Sequence, residues 1–90
     1  MQSKGKSTSA AERRHVAWVK DQPCVVCGTA GPSIAHHIRQ DSHFYTVPLC
    51  ESCHVGPHNG IHGGQAMWRL KKMDELDALA KTVEMAVANG

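Results

Sequence analysis

The chain has 90 residues with one Phe, one Tyr and two Trp, so an apolar core must rest on Val, Leu, Ile, Met and the two indoles. A core that thin excludes a large multidomain enzyme and argues for a staple; structural zinc contributes on the order of 10 kcal/mol of folding free energy. The net charge is +2 with His neutral, too small to imply a polyanion partner by itself, and no apolar run is long enough to span a membrane.

In chain order, residues 1–8 (MQSKGKST) are polar and aperiodic and read as a disordered basic arm, with residues 9–90 as one domain. The start lacks the apolar segment of a secretory leader, so a cytoplasmic location with reduced thiols is expected. Ser9-Ala-Ala-Glu12 has the form of a capping box, which starts a helix that Asp21-Gln22-Pro23 stops near Lys20. Ala11, His15, Trp18 and Val19 share its apolar stripe, with Trp18 expected in the core. Ser33–Arg39 and Tyr45–Leu49 are β-compatible and read as an antiparallel hairpin, with Gln40 to His43 connecting them. Gly56-Pro57-His58-Asn59-Gly60 is a loop by composition. A helix is expected from Gly63 or Gly64, carrying Met67, Trp68 and Leu70 inward. A break near Met73 and an Asp74 cap then lead to a last helix over 74–88, packed through Leu76, Leu79, Val83 and Val87. The fold class is α+β.

Cys24 and Cys27, then Cys50 and Cys53, form C-x2-C, twenty-two residues, C-x2-C. Each short turn aims two thiolates at one point, and two turns complete a tetrahedral sulfur site with a hairpin between them. Free or redox-active thiols are the rival reading, but the chain has no βαβ pattern and carries two such pairs. A closed four-sulfur zinc site is structural. Seven histidines remain. His36-His37 lies between the knuckles, His54 adjoins Cys53, and His58 and His62 follow, so some of them can form a second, open metal site. Neighbours on a strand point to opposite faces, so His36 and His37 cannot share one role.

Ala35-His36-His37-Ile38, then Val47-Pro48-Leu49-Cys50-x-x-Cys53-His54, then Ile61-His62-Gly63 resembles the HNH nuclease motif in its four-cysteine, ββα-metal (His-Me finger) form. The wording HHIR…VPLC…CH…IHGGQAMW is most similar to phage recombination-enhancement (Ref-type) nucleases. The resemblance implies a zinc-stapled ββα-metal domain with an N-terminal helix and C-terminal helices. It makes His37 the general base, and His36, His54 and His62 the ligands of a catalytic ion, with His58 the alternative to His62. The implied cofactors are structural Zn²⁺ and catalytic Mg²⁺ or Mn²⁺, with Ni²⁺ or Zn²⁺ also suited to imidazoles.

Two departures from the motif stand out. Its Asn before the Leu-Cys element is replaced here by Tyr45-Thr46, leaving Thr46 or a backbone carbonyl to orient His37. Its last two histidines are usually three residues apart, whereas seven separate His54 from His62.

The function that follows from the resemblance is metal-dependent hydrolysis of DNA phosphodiester bonds, by nicking or cleavage with little sequence specificity, in a bacterium or a phage-infected cell. Arg39, Arg69, Lys71 and Lys72 are the candidate DNA contacts. A recombinase filament or another DNA-processing protein is the implied partner, and the chain is expected to be a monomer or weak dimer without membrane association. No carboxylate is expected to accompany the histidines, which argues against two-metal catalysis; Asp41, in the strand connection, is the only nearby candidate. His15 reads as a packed or surface residue, and His43 as exposed, with contact to substrate the lesser alternative. The alternative function is a non-catalytic zinc-ribbon module that binds DNA or a protein partner.

Overall fold

A computed structural model describes residues 8–89. The elements run α1 (Ala10–Lys20), β1 (Ile34–His37), β2 (Thr46–Leu49), α2 (Glu51–Val55), α3 (Ala66–Leu70) and α4 (Glu75–Asn89). The result is a small α+β domain in which helices at both ends flank one hairpin. Apart from Thr8, the expected arm lies outside the described residues. No helix among the described residues is long and apolar enough to cross a membrane.

Helix α1 starts where the capping box places it: the Ser9 side chain accepts from Glu12 N–H (3.0 Å), and Glu12 Oε1 accepts from Ser9 N–H (3.1 Å). Its core residue is Val19, whereas Trp18 is only half-buried, stacked beside His15. The expected stripe was therefore too wide, and Ala11 is exposed.

Strands β1 and β2 pair antiparallel, with His36 opposite Val47 and His37 opposite Thr46. The regular strands are shorter than the sequence pattern suggested, although Ile38 N–H still donates to the Tyr45 carbonyl (2.9 Å) where the 38–45 connection begins. All four β2 residues are buried, and Val47 and Leu49 join Cys24, Val26, Cys53, Trp68 and Ala78 in one core cluster. The core thus wraps the cysteine cluster.

The last helix packs Leu79 against the core as expected, but the rest of its expected stripe faces outward. Leu76, Val83 and Val87 are exposed (69%, 51% and 75%), while Ala78 and Thr82 are fully buried. Leu70 on α3 is exposed as well. The larger apolar residues gave the stronger helical stripe, but small ones let α4 approach β2 closely. Glu75, Ala78 and Thr82 fall on one face at helical spacing, and Glu75 meets His36 there (2.6 Å). Reciprocal bonds between Asp74 and Asp77, at 2.9 and 2.8 Å, cap the helix just ahead of this face.

Candidate functional site

The first knuckle closes on itself: Cys24 N–H donates to the Thr29 carbonyl (2.8 Å) and Gly28 N–H to the Cys24 carbonyl (2.9 Å). Gly28 sits at φ +83°, a conformation side chains disfavour. Val25 N–H donates to the Pro48 carbonyl (2.9 Å), which pins this knuckle to β2 just ahead of the second pair. Cys50 then caps α2, its sulfur accepting from Cys53 N–H at 3.5 Å.

The four sulfurs lie within 4.8 Å of one another, and those of Cys27 and Cys50 are 3.6 Å apart. A tetrahedral ion with bonds of about 2.3 Å to sulfur holds its ligands about 3.8 Å apart, so the cluster fits structural zinc. All four cysteines are free of disulfides. Burial opposes ionisation of Cys27, but hydrogen bonds from the Thr29 hydroxyl and backbone, then from Cys50 and Cys24, bring its thiol down to about 6. Burial pushes the Cys53 thiol up, charge on Cys24 adds to it, and burial also raises Cys50. Sulfurs crowded this closely need a cation among them before all can be anions.

Beside this cluster stand three imidazoles. Strand alternation turns His36 inward (6% exposed), α2 supplies His54, and the loop after α2 supplies His62. Their ring centroids form a nearly equilateral triangle: His36–His54 5.1 Å, His36–His62 5.2 Å and His54–His62 4.9 Å, each pair edge-to-face. One nitrogen from each lies within 4.8 Å of the other two. Three nitrogen ligands on one side of an ion leave positions open for water or substrate, unlike the four-sulfur site. Burial lowers the pKa of His54, and the neighbouring His36 and His62 lower it further, which keeps its lone pair available.

The long spacing before His62 has a local explanation. Residues 56–60 bulge out and the chain returns to the end of α2, with Ile61 N–H donating to the Cys53 carbonyl (2.9 Å) and His62 N–H to the His54 carbonyl (3.1 Å). Gly60 makes the return possible, since a Cβ there would meet Gly56 N and O at 2.7 Å and the His54 carbonyl at 2.8 Å. His58 stays exposed outside the triad; its carbonyl accepts from Ala66 N–H (2.7 Å), helping to start α3.

His37, on the opposite face of β1, points its Nε2 at His43 Nδ1 (2.8 Å), and His43 Nε2 lies 3.3 Å from the Thr8 hydroxyl. Glu12 Oε2 accepts from His43 N–H (3.1 Å), and Thr46 Oγ1 donates to the His43 carbonyl (3.0 Å). The expectation that His43 is a bystander is thus corrected. Thr46 does not meet His37 directly but holds the residue that does. Burial lowers the pKa of His37, with smaller contributions from charge on His43 and His36. The shift favours the neutral imidazole.

Asp41, the only nearby candidate by sequence, forms a two-pronged ion pair with Arg39 (3.1 and 2.7 Å) at the surface, but the expectation that no carboxylate accompanies the histidines is corrected by Glu75. Arg39 also lies 4.9 Å over the Tyr45 ring. Glu75 is the carboxylate at the triad, its Oε2 2.6 Å from His36 Nε2. Arg69, Lys71 and Lys72 are exposed at the end of α3, where Arg69 donates to the Gly64 carbonyl. Thr8, Arg13, Val16, Ala17, Lys20 and His43 line a depression of about 350 Å³.

Residues 2–90 match the family described as "Protein of unknown function (DUF968)". The chain belongs to the DUF968 family. No curated protein and no solved structure matches it.

Three features escaped sequence reasoning. The short helix α2 is one and a half turns long and starts on a cysteine, where no usual cap residue marks it. His43 reaches His37 across the 38–45 connection, and the signal available was the hairpin itself, which returns residue 46 opposite residue 37. Glu75 lies thirty-nine positions from His36, and only the small-residue face it shares with Ala78 and Thr82 hinted at its direction.

Proposed function

We propose that this protein is a metal-dependent HNH-type endonuclease that hydrolyses DNA phosphodiester bonds. The observation that carries the reading is the pairing of an open three-histidine cluster with a separate histidine, His37, on the adjacent strand position. A plain zinc ribbon has no use for either. The four cysteines hold structural zinc; His36, His54 and His62 would hold Mg²⁺ or Mn²⁺, with Ni²⁺ or Zn²⁺ as chemically competent substitutes. Bound there, the ion supplies charge stabilisation to the oxygen that leaves phosphorus.

The residues of the chain do the rest. In the tautomer the mechanism requires, His43 Nε2–H donates to the Thr8 hydroxyl and its Nδ1 accepts from His37 Nε2–H, which leaves the lone pair of His37 on Nδ1. As water attacks phosphorus, its proton passes to that nitrogen. The new P–O bond forms as the bond to the 3′ oxygen breaks; that oxygen departs as an alkoxide and takes a proton from solvent water, giving a 5′ phosphate and a 3′ hydroxyl. His43 thus takes the positioning part that the Asn has in the motif. Lys71, Lys72 and Arg69 are the proposed backbone contacts, and Arg39 joins them by exchanging Asp41 for a phosphate. Binding of this kind is largely blind to sequence and weakens steeply with salt. A partner such as a recombinase filament would then choose the target.

The test is nicking of supercoiled plasmid by wild type and His37→Ala in EDTA, Mg²⁺, Mn²⁺ or Ni²⁺. Metal-dependent nicking that is lost in a folded, zinc-containing His37→Ala protein is expected. Absence of nicking by the wild type with every metal, on DNA it binds, would contradict the enzyme reading and leave a zinc-ribbon binding module.

A further inference from the structure

The geometry points to Glu75 as the carboxylate that orients His36 for metal binding, delivered from α4 rather than from the hairpin or α2. This rests on reading the three histidines as a metal site, and it adds a fourth element to that site.

Glu75 Oε2 lies 2.6 Å from His36 Nε2, a length suited to a charge-assisted hydrogen bond. The His36 ring is almost fully buried, whereas Glu75 is partly exposed (6% against 38%). An imidazole has two nitrogens. With Nε2–H donated to the carboxylate, the lone pair is fixed on Nδ1, and ring rotation is restrained. Ligating histidines usually donate their second N–H in this way, which sets the tautomer and raises ligand basicity. Glu75 is outside the set whose donor atoms all lie within 4.8 Å of one another, a set that holds only His36, His54 and His62. Glu75 thus touches His36 without joining the compact three-nitrogen set, as a carboxylate that positions a ligand from outside the ring would.

The setting of α4 supports the same assignment. A helix packed by its largest apolar residues would bury Leu76, Val83 and Val87, yet all three are exposed. Ala78 and Thr82 are buried in their place, on the face that carries Glu75. The setting that brings the carboxylate to His36 leaves large apolar side chains in water. Asp74 and Asp77 cap the helix without help from Glu75, so its replacement should not unravel the first turn.

The experiment titrates Co²⁺ into the full chain, already loaded with zinc at the cysteines, and follows heat and visible absorption. Wild type, Glu75→Gln, Glu75→Ala and His36→Ala are compared, with zinc content and far-UV circular dichroism as the check on folding. Glu75→Ala is expected to weaken Co²⁺ binding about 10–100-fold, the range for loss of an outer carboxylate, with the band positions and intensity of the Co²⁺ spectrum unchanged. Glu75→Gln keeps an acceptor oxygen and should recover most of the affinity, while His36→Ala should abolish binding. Equal affinity in wild type and Glu75→Ala would overturn the role of Glu75 and leave the histidine site standing. An altered spectrum in Glu75→Ala would overturn it in favour of direct ligation. Failure of the wild type to bind Co²⁺ beyond its zinc would remove the metal site and the proposal together.

Discussion

Replacing Trp68 with Phe isolates how the core supports both clusters. Trp68 is 1% exposed, and its Nε1–H donates at 2.9 Å to the carbonyl of Cys53, a member of the four-sulfur cluster and the residue before His54. That carbonyl also accepts from Ile61 N–H at 2.9 Å, so it is not orphaned when the indole is removed. The hydrogen bond then costs about 1 kcal/mol, its ordinary net worth, instead of the penalty for an unsatisfied buried group. Loss of the second ring removes roughly 40 Å³, about 1 kcal/mol at the usual cavity rate. The lost apolar transfer adds roughly another 0.5–1 kcal/mol. The sum is about 2–3 kcal/mol, which in a domain of this size lowers the melting temperature by about 10–20 °C. The assay is thermal unfolding by circular dichroism at one fixed free zinc concentration, since bound ligand shifts the midpoint. A fall of less than about 4 °C would refute the packing and hydrogen bonding assigned to Trp68.

Other outcomes follow from the same structure. His43→Ala should lower the maximal nicking rate about 10–100-fold with little change in apparent DNA affinity, and His43→Asn should restore part of it; equal rates in wild type and His43→Ala would remove His43 from the mechanism. Leu76→Ser and Val83→Ser should each change stability by less than about 0.5 kcal/mol, as expected of exposed positions. Ala78→Leu should cost about 1–3 kcal/mol by overpacking against β2; chemical denaturation that reversed this order would mean α4 is rotated otherwise. Burial lowers the pKa of His15 from 6.5, so the unfolded chain binds its proton more readily than the folded one. Its contribution is complete above pH 6.5 and is lost as pH falls through the lower folded value. The melting temperature of His15→Asn relative to wild type should therefore rise as pH is lowered from 7.5 to 5.5; a pH-independent difference would contradict the assignment.

How much of this was legible in the sequence varies with the range of the interaction. The α1 start is local: Ser9 and Glu12 are three residues apart and bond each other, so the capping box could be read directly. The cysteine turns are local too, and the hairpin between them follows from their spacing. His36 and His37 could be separated by strand alternation alone. The approach of His62 to His54 could not be derived from periodicity, because it depends on a bulge that returns over Gly60. His43 and Glu75 were hidden for the same reason, each reaching its partner through tertiary packing. In α4 the sequence misled, since Leu76, Val83 and Val87 form the stronger stripe while contact with β2 selects Ala78 and Thr82. The pairing of Arg39 with Asp41 also depended on how the connection folds, not on strand alternation.

The central claim is that one chain carries two metal centres, a closed one of sulfur and an open one of nitrogen. It is tested most directly by counting ions per chain, by elemental analysis after equilibration with zinc and gel filtration, in wild type and in His54→Ala. Two ions per chain in the wild type and one in His54→Ala, with the fold intact, is the predicted result. One ion in both proteins would contradict it, leaving a zinc-stapled domain whose histidine cluster holds no metal.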